Sequence, residues 1–333
     1  MLKRLIAPVS VLALAAVLCV LRPSASSADP KPNLRWYKGN THTHTTNSDG
    51  DSAPEIVAQW YADHGYDFLV LSDHNKLTLP ADVRPKVKVP GGRGFLLVPG
   101  EEITNKKAVH VNGIGLTEVI ASSASEDRST AASEAIAAVR KQGGVPHLNH
   151  PNFGWAFNPE AMQVVRDLRH FEVFNGHPAA HNDGDEKHLS AEALWDLLLT
   201  EGRRIFCVAV DDAHHFKKWG PADANPGRGW IVIHAAQMTP KTVVDAIDRG
   251  DFYASSGVEL DDLEASPKSI RLKIRPAAGR TYKTAFIGPK GRVLAETEGE
   301  TPAYEPQGGE GYVRARVTDS AGAKAWIQPV FLP

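Results

Sequence analysis

An α/β fold with a largely parallel sheet, followed by a smaller all-β segment, is what this sequence predicts. Three observations carry that expectation. Between residues 36 and 260 short β-type runs alternate with helical ones. The polar residues that need explaining fall at the ends of the strand-like runs. Beyond residue 265 the helical period disappears while strand-like runs continue.

The first strand leads into Gly39-Asn40-Thr41-His42-Thr43-His44. A helix is expected over 54–64, because Pro54 suits a first turn and Ser52-Ala53-Pro54-Glu55 matches a capping box. Strands follow at 68–71, 95–98 and 109–116, and a helix over 131–141 is ended by Gly143-Gly144. Residues 145–148, 171–174 and 205–210 read as strands, with a helix over 191–200 between the last two. Thr239-Pro240 opens one more helix, running to Ile247. Alternation of this kind implies a sheet either open or closed into a barrel. Past residue 265 the strand-like runs are 270–274, 281–286, 312–317 and 325–330. Ala265-Ser266-Pro267 reads as a short linker into a sandwich-like domain over 268–333, which braces the barrel or binds a glycan or lipid.

Residues 1–28 have the order of a secretory signal peptide: Lys3 and Arg4, an apolar run over 5–21, then Ser24-Ala25-Ser26-Ser27-Ala28. The mature chain is therefore expected to be exported, periplasmic or extracellular, without a stable membrane span. Leu18 precedes Cys19, where a lipoprotein signal wants a small residue. Removing Lys3, Arg4 and Arg22 with no acid takes the formal charge from −2 to −5. A mildly acidic chain with no long basic run argues against nucleic acid as a partner. Cys207 then has no partner for an internal disulfide, and in the apolar run 205–208 it reads as a small buried hydrophobe.

The chemistry lies in a series of motifs. His42-Thr43-His44 on a strand points both rings to one side, because side chains alternate with period two. After it come Ser48-Asp49-Gly50, Ser72-Asp73-His74-Asn75, Pro99-Gly100-Glu101-Glu102, His110, Asn149-His150-Pro151, Asn175-Gly176 and Asp211-Asp212-Ala213-His214. In parallel α/β folds the loops after the strand C-termini share one face, where sites are built. Imidazoles and carboxylates gathered there are ligands for zinc, manganese or iron. One His-x-His is a weak signal, but a row of such motifs at strand ends is a strong one. No Gly-x-Ser-x-Gly elbow appears, so nothing points to a serine nucleophile.

The series resembles the PHP (polymerase and histidinol phosphatase) family, metal-dependent phosphoesterases on a distorted (β/α)7 TIM-like barrel. The resemblance covers residues 36–260 and is closest over residues 39–50, although Asn40 stands where the family usually has Asp. The C-terminal segment ending Ala325-Trp326-Ile327-Gln328-Pro329 is similar to a secreted branch that includes carbamate-ester hydrolases. The resemblance implies two or three divalent ions. His42, His44 and Asp212 would hold the first, and Glu102 would bridge it to a second held by His110 and His150. Asp49, His74 and His214 would hold a third. It also implies catalytic roles for Glu102, Asp212 and His214. In its Gly-x-Glu pattern the second carboxylate is the ligand, which favours Glu102 over Glu101 and, by the same logic, Asp212 over Asp211. Glu101, Asp211 and Asp73 then remain as acceptors that orient ligand rings.

The implied reaction is hydrolysis of a phosphomonoester or phosphodiester by a hydroxide bridging two ions, with a third ion polarising the substrate. The same site also suits a carboxylic or carbamic ester or an amide, and the substrate is expected to be a small-molecule or a lipid- or glycan-linked ester. A noncatalytic binding module is disfavoured by the complete ligand set. Several roles stay open. His147, His177 and His215 are candidate general acids. Arg228 in Pro226-Gly227-Arg228-Gly229 is a candidate phosphate clamp, and Lys106-Lys107 could attract an anion. Trp155 and Phe157 are candidate pocket walls, while Trp60-Tyr61 reads as packing and His181 and His188 as part of a polar rim.

Overall fold

The computed structural model describes residues 34–332, so the expected signal peptide over 1–28 lies outside the described residues. The chain runs β1 (Arg35–Asn40), α1 (Pro54–Asp63), β2 (Phe68–Leu71), α2 (Pro80–Val83), β3 (Leu96–Thr104), β4 (His110–Ile114), α3 (Arg128–Lys141) and β5 (Val145–Leu148). Then come α4 (Pro159–Val164), β6 (His170–Asn175), α5 (Ala191–Thr200), β7 (Phe206–Val210), β8 (Trp230–Ala235), α6 (Pro240–Arg249) and β9 (Phe252–Ser255). Strands alone follow: β10 (Leu260–Ser266), β11 (Ser269–Ile274), β12 (Tyr282–Gly288), β13 (Arg292–Glu298), β14 (Ala303–Tyr304), β15 (Tyr312–Asp319) and β16 (Lys324–Phe331).

This is an α/β protein with one large mixed sheet and a small antiparallel sheet of β10, β11 and β14. The expectation of a largely parallel sheet is corrected. β1, β2 and β3 pair in parallel, as do β5, β6 and β7, but β4 runs antiparallel to both β3 and β5. Only residues 105–109 join β3 to β4, far short of the dozen or so that a parallel crossover needs. β8 and β9, which the alternation of runs did not reveal, extend the sheet beyond β1, β8 antiparallel to β1 and β9 antiparallel to β8. The strands β2, β5 and β7 are buried along their whole length, as strands covered on both faces must be.

Helix starts differ from the sequence signals in one instructive case. Ala53, not Ser52, occupies the N-cap of α1, and no side chain caps it. The Ser52 hydroxyl donates to Asp51 Oδ1 instead, and Asp51 takes the N–H groups of Phe216 and Lys217. Asp127 caps α3 through the Thr130 N–H, and a genuine capping box forms at α6 between Thr239 and Thr242. Gly250 ends α6 in the left-handed conformation at φ 80°.

The C-terminal strands add to the large sheet where β16 pairs with β9. Ala265-Ser266-Pro267 is not a linker but the start of the β10–β11 turn, held where the Ser269 N–H donates to Ser266 Oγ at 3.2 Å. Buried Arg314 on β15 grips Asp196 of α5 with two bonds of 2.7 and 2.6 Å and reaches Glu192 at 2.9 Å. Gln328 on β16 bonds both backbone atoms of Cys207 on β7, at 3.0 and 2.8 Å. Cys207 itself is buried, which pushes its thiol well above its ordinary range. Among the described residues no helix is long and apolar enough to cross a membrane.

Candidate metal centre

Beyond Asn40 the chain stays clamped on both sides. Ser72 N–H donates to Thr43 O at 2.9 Å, His44 N–H to Ala213 O at 2.9 Å, and Asp212 N–H to His42 O at 3.0 Å. Asn40, the departure from the family pattern, takes the His42 N–H at 2.8 Å and donates to Gly229 O at 2.8 Å. A Cβ on Gly229 would lie 2.4 Å from Val210 O, so this close approach needs glycine.

All the sequence-derived ligand candidates converge here: His42, His44, Asp49, His74, Glu102, His110, His150, Asp212 and His214. Glu102 is the hub. Its Oε1 lies 2.9 Å from His110 Nδ1 and 3.4 Å from both His42 Nε2 and His150 Nε2. Its Oε2 lies 2.8 Å from His74 Nδ1 and 3.3 Å from His44 Nε2. Asp212 Oδ1 sits 3.1 Å from His42 Nε2 and 3.2 Å from His44 Nε2, which are themselves 3.1 Å apart. At the outer edge Asp49 faces His74 Nε2 and His214 Nε2, each at 3.4 Å.

The donor atoms form four overlapping groups: His44, Asp49, His74 and His214; His42, His44 and Glu102; His42, His150 and Asp212; and His74, Glu102 and His110. The side chain of His42 is 0% exposed and that of Asp49 is 55% exposed, which puts the open side at Asp49. Asp212 and His150 hold positive φ, 51° and 22°, a conformation that costs energy for non-glycine residues and collects at functional sites.

Buried carboxylates demand positive charge close by. Burial alone would lower His42, but Asp212, Glu102 and Glu172 outweigh it and raise it well above its ordinary value. Burial likewise opposes the shift of Glu102 and Asp212, yet the surrounding rings hold both well below the carboxylate range. His74 is pulled up to about 10, its burial overcome by Asp49 and Glu102. The acids therefore stay ionised, and the site favours cations.

The residues also fit a metal in detail. Glu102 Oε2 and His110 Nδ1 are buried and lie within 3 Å of a neighbouring donor or acceptor, yet neither makes an aligned hydrogen bond. Close approach without alignment suits atoms that share a cation rather than a proton. The buried His, Asp and Glu groups are thus consistent with metal ions.

Glu172 on β6 is the functional residue that sequence reasoning missed. It accepts from His42 Nδ1 at 2.7 Å, from the His150 N–H at 2.7 Å and from Asn175 Nδ2 at 2.8 Å. Asn175 Nδ2 also reaches Asp212 Oδ2 at 3.0 Å. A hydrogen-bonded His42 Nδ1 leaves Nε2 to face the cluster. The available signal was an acid inside the apolar run 171–174.

The other candidates scatter. Glu101 turns away to the Ile120 N–H (2.6 Å), and Asp211 to the Tyr61 hydroxyl (2.7 Å) and the Gly229 N–H (2.8 Å), so neither orients a ligand ring. Asp73 binds the Thr45 and Ser48 hydroxyls, and Ser48 Oγ in turn lies 3.3 Å from His44 Nδ1. Of the three candidate acids, His147 is buried behind His42, and His215 lies further out. His177 is half-buried, with its ring 5.6 Å from that of His214. Arg228 spends its guanidinium on the carbonyls of Gly176 and Gly220, and Lys106 and Lys107 pair with Glu126. Phe157 is buried in the core, and it is Phe153 whose ring lies 5.0 Å from that of His150. Tyr61 packs in the core, as expected.

No family model matches the chain, and no curated protein does. Among solved structures the chain is similar to a two-domain protein from Bacteroides vulgatus containing a predicted PHP-like metal-dependent phosphoesterase. That match has 17% identity and a TM-score of 0.49, over 86% of this chain and 90% of that one. A second is an amidohydrolase from Chromobacterium violaceum with bound sulfate, at 14% identity and a TM-score of 0.38, over 56% of this chain and 93% of that one.

Proposed function

We propose that this chain is an exported metal-dependent hydrolase of the PHP type and that its substrate is a phosphoester. The single observation behind the reading is the buried cluster of six histidines and three carboxylates around Glu102. His42, His44, Glu102, Asp212, His110 and His150 would hold two divalent ions, zinc, manganese or iron, and Asp49, His74 and His214 a third. Bound there, such ions supply Lewis acidity and lower the pKa of water.

The chain's own residues do the rest. Glu172 and Asn175 fix His42 and Asp212 in place. The Phe153 ring lies over the His150 side while Asp49 is open to solvent, so substrate would enter past Asp49. The Ala179 N–H donates to His177 Nδ1 at 3.1 Å, which leaves the proton of the neutral ring on Nε2 to reach the leaving group. The bonds from His44 to Ala213 and from Asp212 to His42 tie the extension of β1 to that of β7, which supports a seven-stranded barrel closed at the site. Export rests on the order of charged, apolar and small residues over 1–28.

One observation favours a second reading. Arg228, the candidate phosphate clamp, spends its guanidinium on loop carbonyls, and a carboxylic or carbamic ester would not need a clamp. Purified protein supplied with manganese or zinc is assayed against nitrophenyl phosphate, bis-nitrophenyl phosphate and an aryl carbamate side by side. The phosphoester reading expects turnover of the phosphates, reduced by more than about a hundredfold in Glu102→Gln. Turnover of the carbamate alone would select the second reading, and equal activity in Glu102→Gln would overturn both.

A further inference from the structure

Glu102 is also held by a side chain that is not a candidate ligand. Asn112 stands directly opposite Glu102 where β3 pairs with β4, and opposite His147 where β4 pairs with β5. Residues directly opposite one another present their side chains on one face, and the period of two carries that face from His147 to Asn149. Asn112 and Asn149 are both buried, at 0% and 1% exposure.

Their hydrogen bonds have a fixed direction. The Asn112 N–H donates to Asn149 Oδ1 at 3.2 Å, and Asn149 Nδ2 donates to Asn112 Oδ1 at 2.8 Å and to Glu102 Oε1 at 2.7 Å. Asn112 Nδ2 then donates to Thr41 O at 2.8 Å, next to His42. A backbone N–H can only donate and a carbonyl can only accept, so neither amide turns over without losing bonds in the interior. Both hydrogens of Asn149 Nδ2 are thereby committed, one of them to Glu102. An amide nitrogen keeps no lone pair free for a cation, so Asn149 holds the carboxylate without competing for what it binds. That carboxylate faces two ways, Oε1 toward His110, His42 and His150 and Oε2 toward His44 and His74. Among the described residues Asn149 is the one side chain outside the candidate ligands that bonds either oxygen.

We infer that Asn149, aimed by Asn112, is a positioning residue that fixes the plane of the Glu102 carboxylate so that its two oxygens serve two different ions. The inference rests on the metal reading of the cluster and adds to it a control on how the ions are paired. Without the Asn149 bond, Glu102 is free to turn both oxygens to one ion, and the second ion loses its bridge.

Manganese binding tests it without hydrolysis. Full-length protein stripped with a chelator is titrated with manganese by calorimetry, and electron paramagnetic resonance is recorded as the pair fills. The wild type is expected to bind at least a pair of ions and to give the spin-coupled spectrum of a bridged pair. Asn149→Ala should weaken the binding of one ion by about 10- to 100-fold, the range for groups that orient a ligand, and lose the coupled signal. Asn112→Ala leaves the bond to Glu102 but no longer aims it, so it should weaken binding less. The double variant should then be no worse than Asn149→Ala alone, a lack of additivity that two amides merely filling space would not produce. Should Asn149→Ala fail to fold by circular dichroism, wild-type binding in Asn112→Ala would overturn the role. A coupled pair at wild-type affinity in Asn149→Ala, or additive losses in the double variant, would overturn the positioning role alone. A wild type that binds no pair of ions would overturn the metal reading, and the positioning role with it.

Discussion

At the scale of single residues, the site depends on a carboxylate that touches no proposed ligand position except through hydrogen bonds. Glu172 holds His42 by its ring and His150 by its backbone, and through Asn175 it is tied to Asp212. Replacing it with Gln removes the charge that fixes the His42 ring and makes its Nε2 a better donor to a metal. Partners of this kind change metal affinity by about 10- to 100-fold. Glu172→Gln should therefore release metal at lower chelator concentrations while keeping its folded circular dichroism spectrum. Unchanged metal content across a chelator titration would show that Glu172 only fills space. Neighbouring acids are sorted apart, Glu101 and Glu102 by the alternation of β3 and Asp211 and Asp212 by the left-handed turn at Asp212 beyond β7. Glu102 and Asp212 enter the cluster, while Glu101 and Asp211, one residue away, bond to backbone N–H groups elsewhere.

At the scale of elements, helix starts decide how firmly the loops are anchored. The capping box of α6 is formed by Thr239 and Thr242, and Thr239→Ala should lower stability by about 1 kcal/mol, read from urea denaturation. At α1 the N-cap is an alanine, and Ser52 spends its hydroxyl on Asp51. That swap has a purpose visible in the fold: Asp51 fastens the loop of Phe216 and Lys217, two residues beyond His214. The strand elements show the same priority. β4 turns back after only five residues, which places His110 at Glu102 and prevents a uniformly parallel sheet.

At the scale of the whole molecule, two buried charged or titratable features bear on stability. Arg314 is fully desolvated between Asp196 and Glu192, and those carboxylates outweigh its burial to keep it charged. Asp196→Ala would leave the guanidinium half-paired in the interior, at a cost of about 3–5 kcal/mol. A urea midpoint within experimental error of the wild type would refute that coupling between α5 and the C-terminal strands. His170 behaves differently. Burial drives it down to about 3, and its Nε2 bonds Ile247 O at 2.8 Å. Above its ordinary value of 6.5 both folded and unfolded chains carry it neutral, so pH has no effect through this group. As pH falls below 6.5 the unfolded chain takes a proton that the fold refuses, and stability declines until about pH 3. His147, pushed down to about 4 by burial, acts in the same direction. Stability measured from pH 7 to pH 4 should fall for the wild type and less steeply for His170→Gln. Parallel curves would exclude His170 as a cause.

What the sequence determined by itself was the inventory. Alternating runs place β2, β5, β6 and β7 and the helices α1, α3, α5 and α6 within a few residues, because apolar period is a local property. The nine candidate ligands are likewise each named by a local motif, which says nothing of whether they meet. Tertiary structure alone decided what those pieces do to one another. The antiparallel course of β4, the joining of β16 to β9 and the clamping of residues 41–44 between Ser72 and Ala213 depend on partners far away in the chain. So do the turning of Arg228 toward loop carbonyls and of Glu172 toward His42. An acid within an apolar run reads as an anomaly until the imidazole 130 residues away is in place, because the energy of a buried charge is set by what surrounds it.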